Sequence, residues 1–419
     1  QCGGSLTNAI GSGGYYDTPS TTGTTSTVAG LGAGKFTRGL VNRYNFAPLN
    51  HFQRPDERYS AGVFADYEIS EAVHPYMEFM FMDDRTVAQI APSGDFGNTL
   101  TINCDNPLMS ASQQAAICTP RNMVMGYLGT YPLVQSVYNG LSASAKAGVT
   151  APFNPNTAFF QLLRRNVEGG PRQNDLQHTA YRAVIGSRGD LSPAWSYDAY
   201  YQYGRTNYSQ VYKNEFSVRR LTNALDVVRN SAGQIVCRSV VNGTDPNCVP
   251  WNIFGGSSAI TQAQVDYLSA SGFLKGQTSQ QIMSAVFNGA LGEYGMKMPW
   301  ASDGVTVALG AEYRRDALEL NADNAFSTGD LTGQGAPTKS VAGHYAVTEL
   351  FGELELPIVQ DGPIYNLSFN GAYRYSHYKL SNGRKINTDT YKLSVDLAPI
   401  QDVRLRASYN RAVRVTNIQ

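Results

Sequence analysis

Charge is scarce in this chain and has no prevailing sign. Only 16% of its 419 residues are Asp, Glu, Lys or Arg, against roughly 25% in ordinary soluble domains, and 33 basic residues cancel 33 acidic ones. A neutral chain carries no global field for polyanions, so no nucleic-acid partner is expected. Long hydrophobic runs are also missing. Nothing approaches the ~18 consecutive apolar residues of a membrane-spanning helix, so any crossing of a bilayer must be made by strands. The five histidines are scattered without zinc spacing, and Asp83-Asp84 lacks the further oxygen ligands and glycine of a calcium loop, so no metal is expected. Catalytic constellations are absent too. The glycine-rich stretch from Gly30 to Lys35 is followed by Phe36 where a phosphate loop needs Ser or Thr, and Arg188-Gly189-Asp190 reads as the way into a short turn. The expectation is a protein that is not an enzyme and holds no cofactor. The chain opens at Gln1 without a charged and then apolar leader, which reads as a mature or internal piece.

What is present is β-pattern. Hydrophobic residues reach 42%, too many for disorder, with 26 tyrosines and 41 glycines. From Tyr365 the odd positions read Tyr365, Leu367, Phe369, Gly371, Tyr373 and Tyr375, whereas the even ones read Asn366, Ser368, Asn370, Ala372, Arg374 and Ser376. Two further runs repeat this: Tyr391, Leu393, Val395 and Leu397 against Lys392, Ser394 and Asp396, then Val403, Leu405, Ala407 and Tyr409 against Arg404, Arg406 and Ser408. Successive strand side chains point to opposite faces, so each run has one apolar face, to which the tyrosines belong, and one charged face. Similar strands are expected from Tyr59, through His74 to about Ala91, over Leu176 to Ser187, around Tyr197 to Tyr203, from Gln281, over Val305 to Tyr313, and over Ala346 to Leu356.

Connections between these strands fall into two classes. Short ones lie at Ser70 to His74, Asp190 to Ala194, Pro299 to Asp303, Pro357 to Pro363 and Ala398 to Asp402; the others are longer and hold the cysteine pairs. A membrane barrel shows this asymmetry, with short turns on the periplasmic side and long loops outside, whereas a soluble sandwich has no reason to. Parity then requires an even number of crossings between short connections. The three runs between Pro75 and Gly189 include one too many, and Ala158 to Asn166 is expected to form an extracellular hairpin turning at Gly169, Gly170 and Pro171. About ten crossings remain. The domain reading is an extracellular loop over residues 1–58 leading into a partial barrel over 59–419, with long extracellular loops at about 93–174 and 212–280. Residues 1–34, rich in Gly, Ser and Thr, read as flexible loop. Cys104 with Cys118 and Cys237 with Cys248 read as loop-closing disulfides in an oxidising compartment, which leaves Cys2 over.

Several segments carry a family likeness. Arg54-Pro55-Asp56-Glu57-Arg58-Tyr59, Phe81-Met82-Asp83-Asp84-Arg85-Thr86, Arg164-Arg165-Asn166-Val167-Glu168-Gly169-Gly170-Pro171-Arg172, Cys248-Val249-Pro250-Trp251-Asn252-Ile253-Phe254-Gly255 and Arg406-Ala407-Ser408-Tyr409-Asn410-Arg411-Ala412-Val413-Arg414 resemble the barrel of TonB-dependent outer-membrane receptors. The likeness is to the large receptors of sphingomonad, caulobacter and xanthomonad-type bacteria, and it runs from about Asn42 to the end. It implies an all-β, antiparallel transmembrane barrel, 22-stranded in the family, around a plug domain. It also implies residence in the outer membrane of a Gram-negative bacterium, in contact with its lipid. The implied activity is import of a scarce ligand (siderophore-iron, cofactor or oligosaccharide) driven by the inner-membrane TonB–ExbB–ExbD complex. The chain departs from that pattern in having no plug and no coupling box. It also reads Arg414-Val415-Thr416-Asn417-Ile418 where the family has Ala-Pro before Asn-Ile, so a central barrel portion is expected.

Candidate site residues follow from the charged phase. Glu349, Glu353 and Glu355, Arg374, Lys392 and Asp396, and Arg404 and Arg406 share the face opposite the lipid. They line either a ligand or plug path or a cross-strand ion-pair ladder. Arg164, Arg165, Glu168 and Arg172 stand beside a Gly-Gly turn and serve either an anionic ligand group or plug docking and structure. The loop aromatics Tyr15, Tyr16, Trp251 and Phe254 are candidates to stack on a sugar or an aromatic siderophore, with anchoring of the Cys237 to Cys248 loop as the alternative for Trp251 and Phe254. The alternative function is a receptor-derived structural or adhesive surface protein without transport.

Overall fold

The computed structural model describes residues 45–413 and 415 except 153 and 256–258, together with strand backbone at 15–19, 25–30 and 36–38. Its frame is one antiparallel sheet of ten strands. These are β1 (Asp56–Asp66), β2 (His74–Pro92), β3 (Pro171–Ser192), β4 (Trp195–Phe216), β5 (Ser269–Ala290), β6 (Thr306–Ala322), β7 (Val341–Gln360), β8 (Asn366–Leu380), β9 (Lys385–Ile400) and β10 (Val403–Arg411). Each strand pairs with its sequence neighbours, so the sheet is a meander from β1 to β10, and it does not close on itself among the described residues.

Connections alternate between the two ends of the sheet. One end carries 67–73, 193–194, 291–305, 361–365 and 401–402; the other carries 93–170, 217–268, 323–340 and 381–384. The turn expected at Pro299 to Asp303 is longer than the sequence suggests, since β5 stops at Ala290 and a 3-10 turn, Leu291–Tyr294, follows.

Phase divides the sheet into two chemistries. Odd positions of β8 are Leu367, Phe369, Gly371, Tyr373 and Tyr375, and they face the same side as Leu393 and Val395 of β9 and Leu350 and Leu354 of β7. This side is exposed and apolar: Leu350, Tyr373 and Leu405 each keep half or more of their surface. The run from Leu367 to Tyr375 meets the ~9 to 11 residues that a tilted strand needs to cross a bilayer. Tyrosines flank the band in ring contact across strands, Tyr181 with Tyr203 at 6.1 Å and Tyr391 with Tyr409 at 6.0 Å, as interfacial aromatics do. The opposite face is the one that loops close over. There Tyr212 and Leu274 are buried with Phe326 and Leu331 of the 323–340 connection. Tyrosine does not keep to one face, however. Tyr378 lies on the inward phase with its ring 6.1 Å from Tyr345, because a phenol buried toward water keeps its hydroxyl hydrated as well as one at the lipid surface does.

Two sequence expectations are corrected here. Part of the 1–34 stretch is strand: Tyr15–Pro19 pairs with Thr25–Gly30, and Tyr15 to Asp17 also pair with Gln161 to Leu163. The threonines that suggested a loop are β-branched, and they satisfy a pleated strand as readily. Cys2 lies outside the described residues. The segment around Ala158 to Asn166 does stay out of the ten-stranded sheet, but it makes no hairpin with β3. Its strand Gln161–Arg165 pairs instead with Gly94–Phe96 just beyond β2. Gly170, with φ of 76°, only swings the chain into β3.

The two longest connections, 93–170 and 217–268, fold together into a cap at one mouth of the sheet. Ile102, Ile117, Phe160 and Leu162 of the first pack with Leu221, Trp251, Phe254 and Leu268 of the second in one buried cluster. Asn103 Nδ2 donates to the Val227 carbonyl at 2.7 Å and Asn106 Nδ2 to that of Leu225 at 2.9 Å, which stitches the loops edge to edge. Capping boxes at Ser110 with Gln113 and at Thr261 with Gln264 set the starts of helices Ala111–Ile117 and Gln262–Leu268. Both disulfides, Cys104–Cys118 and Cys237–Cys248, form inside this unit, and Cys104, Cys237 and Cys248 belong to its buried core.

Candidate functional site

The inward face forms an open trough of about 1400 Å³, with Arg58, Met80, Arg182, Gln202, Gln280 and Arg314 among its lining. Polar side chains at even positions of the five adjacent strands β2 to β6 are joined along it in a single rail. Arg182 donates to Glu78 at 2.8 Å and to Gln202 at 2.8 Å; Gln202 donates to Gln280 at 2.9 Å; Gln280 donates to Asp316 at 2.9 Å, and Arg314 stands 3.5 Å from the same carboxylate. The rail zigzags across the strands between two adjacent rows of one face: Gln280 and Asp316 are directly opposed, whereas Glu78, Arg182, Gln202 and Gln280 meet diagonally, within reach of long side chains. The sequence reading missed it, because glutamine and glycine in this stretch blur the alternation that the last four strands show.

The predicted inward charges of β7 to β10 continue this pattern. Glu349 is buried and accepts from Arg374 Nη1 at 2.9 Å and from Ser376 Oγ at 2.5 Å, while the Arg374 guanidinium also covers the Phe351 ring at 4.5 Å. Glu353 accepts from Asn370 Nδ2 at 2.7 Å. Asp396 takes Arg404 at 2.7 Å and Arg406 at 2.9 Å. The exposed pairs that Asp396 makes contribute little stability each, about 0 to 1 kcal/mol. What they fix is side-chain position along the wall.

The second group, Arg164, Arg165, Glu168 and Arg172, lies where the cap meets the sheet. Arg164 is almost fully buried, with Nη2 2.5 Å from Glu168 Oε1 and its guanidinium 5.3 Å from the Trp251 ring centre. Arg165 donates to the Pro92 carbonyl at 2.7 Å and Arg172 Nε to that of Ala91 at 2.9 Å, and both guanidinia lie over the Phe96 ring. Trp251 and Phe254 are buried in the cap core beside the Cys237–Cys248 bond, so neither ring is presented at the surface.

One residue that sequence reasoning passed over organises this junction. Glu215 is fully buried. Its carboxylate accepts from Ser93 Oγ at 2.5 Å, Thr332 Oγ1 at 3.2 Å, the Gly333 amide at 3.1 Å and Arg172 Nη1 at 3.2 Å. The backbone delivers it there by a register shift between Tyr212 and Glu215, where Asn214 takes a φ of 60° and its amide donates to the Pro171 carbonyl at 2.9 Å. Such a bulge re-aims a side chain out of strand phase. Two connections, 93–170 and 323–340, and the start of β3 therefore meet at one carboxylate. Asp95, fully buried nearby, accepts from the amides of Gly97, Asn98 and Thr99 and from the Thr99 hydroxyl. Burial nevertheless pushes its carboxyl up to about 7. Among the described residues no cluster of His, Cys, Asp or Glu has the geometry to hold a metal ion.

Three comparisons bear on this architecture. The model of the β-barrel of TonB-dependent receptor-like proteins matches residues 126–419. A comparison with curated proteins finds no match. Among solved structures, the ferric-catecholate import receptor Fiu of E. coli K12, in its closed form, is similar over 96% of this chain and 50% of that one, at 10% identity and a TM-score of 0.33. The chain spans half the length of that receptor.

Proposed function

The chain belongs to the TonB-dependent receptors, as part of their β-barrel, and on that premise we propose that it forms the wall and outer cap of an outer-membrane importer. The ligand is a scarce one, a siderophore-iron complex, a cofactor or an oligosaccharide. It is captured at the cap and passed along the trough, past a plug that fills the lumen. Energy comes from the inner-membrane TonB–ExbB–ExbD complex acting on a segment outside this sequence. The observation that carries the reading is the division of the ten-stranded sheet by phase, with an exposed apolar band outside and a hydrogen-bonded polar rail inside. Charges at membrane depth persist only where they face water or protein, and the rail satisfies that condition on one face alone.

The mechanism is a coupling of two sites. Ligand bound outside shifts the plug toward a state that exposes its coupling segment inside, and the ligand can shift that equilibrium only by its differential affinity for the two states. The inward ion pairs hold the wall rigid while the plug moves against it. A compact, disulfide-bonded cap would equally suit an adhesive surface protein, so the deciding measurement is uptake. Growth of the native host on each candidate ligand as sole source is expected to fail on deletion of the gene, and to fail equally when the energy-coupling complex is removed. Growth that is indifferent to both deletions for every ligand class would leave the adhesive role.

A further inference from the structure

The outward face of β6 to β9 carries a second, unassigned feature. Gly352 of β7 and Gly371 of β8 stand in adjacent cross-strand rows, Leu309–Gly352–Tyr373–Tyr391 and Val307–Leu354–Gly371–Leu393. Two missing side chains side by side leave an apolar groove of about 530 Å³ in the wall, edged by Leu309, Leu354, Tyr373 and Leu393. Nothing requires glycine there for backbone reasons, since neither residue has a positive φ. A side chain at Gly371 would first meet only the tips of Phe369 and Leu393, at 3.2 and 3.6 Å.

Three rows nearer the cap end, on the same face, Arg315, Ala346, Lys379 and Lys385 form a single row. Lys379 and Lys385 are directly opposed and both exposed. Like charges directly opposite destabilise a sheet pair, and among the described residues neither lysine forms a salt bridge. The closest outward carboxylate below them, Asp389, is two rows away and takes the Tyr373 hydroxyl at 2.5 Å. Six residues separate the groove row from the cation row, roughly 20 Å along the strand. At a strand tilt of about 40° this becomes about 15 Å of depth, half of a ~30 Å hydrocarbon core.

We propose that this column is a binding site for one outer-leaflet lipid with an anionic, phosphorylated headgroup. Its acyl chain fills the groove at Gly352 and Gly371, and its headgroup is held by Arg315, Lys379 and Lys385. The fit is one of length as well as charge: a lipid of one leaflet places phosphate and chain at the separation that the two rows have. Tyr373 edges the groove and gives its hydroxyl to Asp389, one row nearer the cations, so the face turns polar in the direction of the headgroup. The assignment rests on the outer-membrane reading, because it takes the outward face to be in hydrocarbon and the cap end to be outside.

The test uses the full-length protein folded in detergent and stripped of lipid, titrated with bis-phosphorylated lipid A, the same lipid dephosphorylated, phosphatidylcholine or inorganic phosphate, with retained lipid counted by native mass spectrometry. Bis-phosphorylated lipid A is expected to bind at least about tenfold more tightly than dephosphorylated lipid A or the zwitterionic phosphatidylcholine, neither of which has a net anionic headgroup. The double variant Lys379→Gln/Lys385→Gln should lose that tenfold preference, while Gly371→Val, which fills the groove, should weaken both forms of lipid A together. Heat-modifiable gel migration verifies that each variant is folded. Equal retention of all lipids, an unchanged preference in the lysine variant, or displacement of lipid A by millimolar phosphate would each overturn the site. Failure of the premise looks different: the untreated protein would then remain in buffer without detergent and retain no lipid at all.

Discussion

Asp95 combines two opposing environments in one carboxyl group. Full burial disfavours its charge and pushes it up to about 7, although three backbone amides and a hydroxyl donate to it. In the unfolded chain the same group titrates near 3.9. Between about pH 4 and 7 the folded junction therefore holds more protons than the unfolded one, and the linkage relation makes stability fall as pH rises through that window. Below about 4 both states are protonated and the dependence vanishes. Amide exchange in residues 93–99, corrected for the intrinsic pH effect, should accordingly show more opening at pH 7.5 than at pH 5. Asp95→Asn, which keeps an acceptor for the turn and cannot ionise, should exchange equally at both. An unaltered pH dependence in that variant would place the titrating group elsewhere. Nothing in the sequence singles out Asp95 or Glu215, because burial of a carboxylate is decided by which distant loop covers it, not by its neighbours in the chain.

At the scale of elements, legibility follows environment. β7 to β10 were plain in the sequence because lipid on one side and water on the other impose a strict period of two. β3 to β5 run for 22 residues each, far beyond what a bilayer requires, and toward the cap their outward positions become Asp175, Gln177 and Thr179, which pair with Arg85 and Asp83. Once both faces are wet the alternation disappears, and the strand ends were read as loop. The cap was hidden for another reason. Its core joins Ile102 to Trp251 and Leu221 to Phe160 across more than fifty residues of chain, and short helices and three-residue strands carry no long periodicity. The paired cysteines were the one local sign that these loops hold structure. Replacing Cys237 and Cys248 by serine removes an eleven-residue loop closure, which is worth about 2 to 4 kcal/mol. The expected result is a cap whose thermal unfolding separates from that of the sheet and moves to lower temperature, with protease cleavage confined to 217–268. Coincident unfolding of cap and sheet in the variant would mean that the shared buried core and the Asn103 and Asn106 bonds hold the loops without the disulfide.

For the whole molecule the decisive quantity is backbone pairing at the two edges. β1 is joined only to β2 and β10 only to β9, and every residue of both edge strands is exposed. In water an unpaired edge is a hazard for aggregation. In hydrocarbon it is worse, because each unsatisfied amide or carbonyl costs several kcal/mol and no solvent can relieve it. The apolar outward face thus drives the sheet into a bilayer, while its edges forbid it to be there alone. Those opposing terms predict that residues 1–419, produced as an isolated chain and offered to vesicles of outer-membrane lipid, adsorb without giving a heat-modifiable, protease-resistant barrel. Supplying the remainder of the receptor, in the same chain, should restore both properties, because added strands convert the edges into ordinary ladders. Insertion of the isolated chain as a closed, protease-resistant species would show instead that β1 and β10 can pair with each other or with a second copy, and that ten strands of this sequence are a sufficient wall.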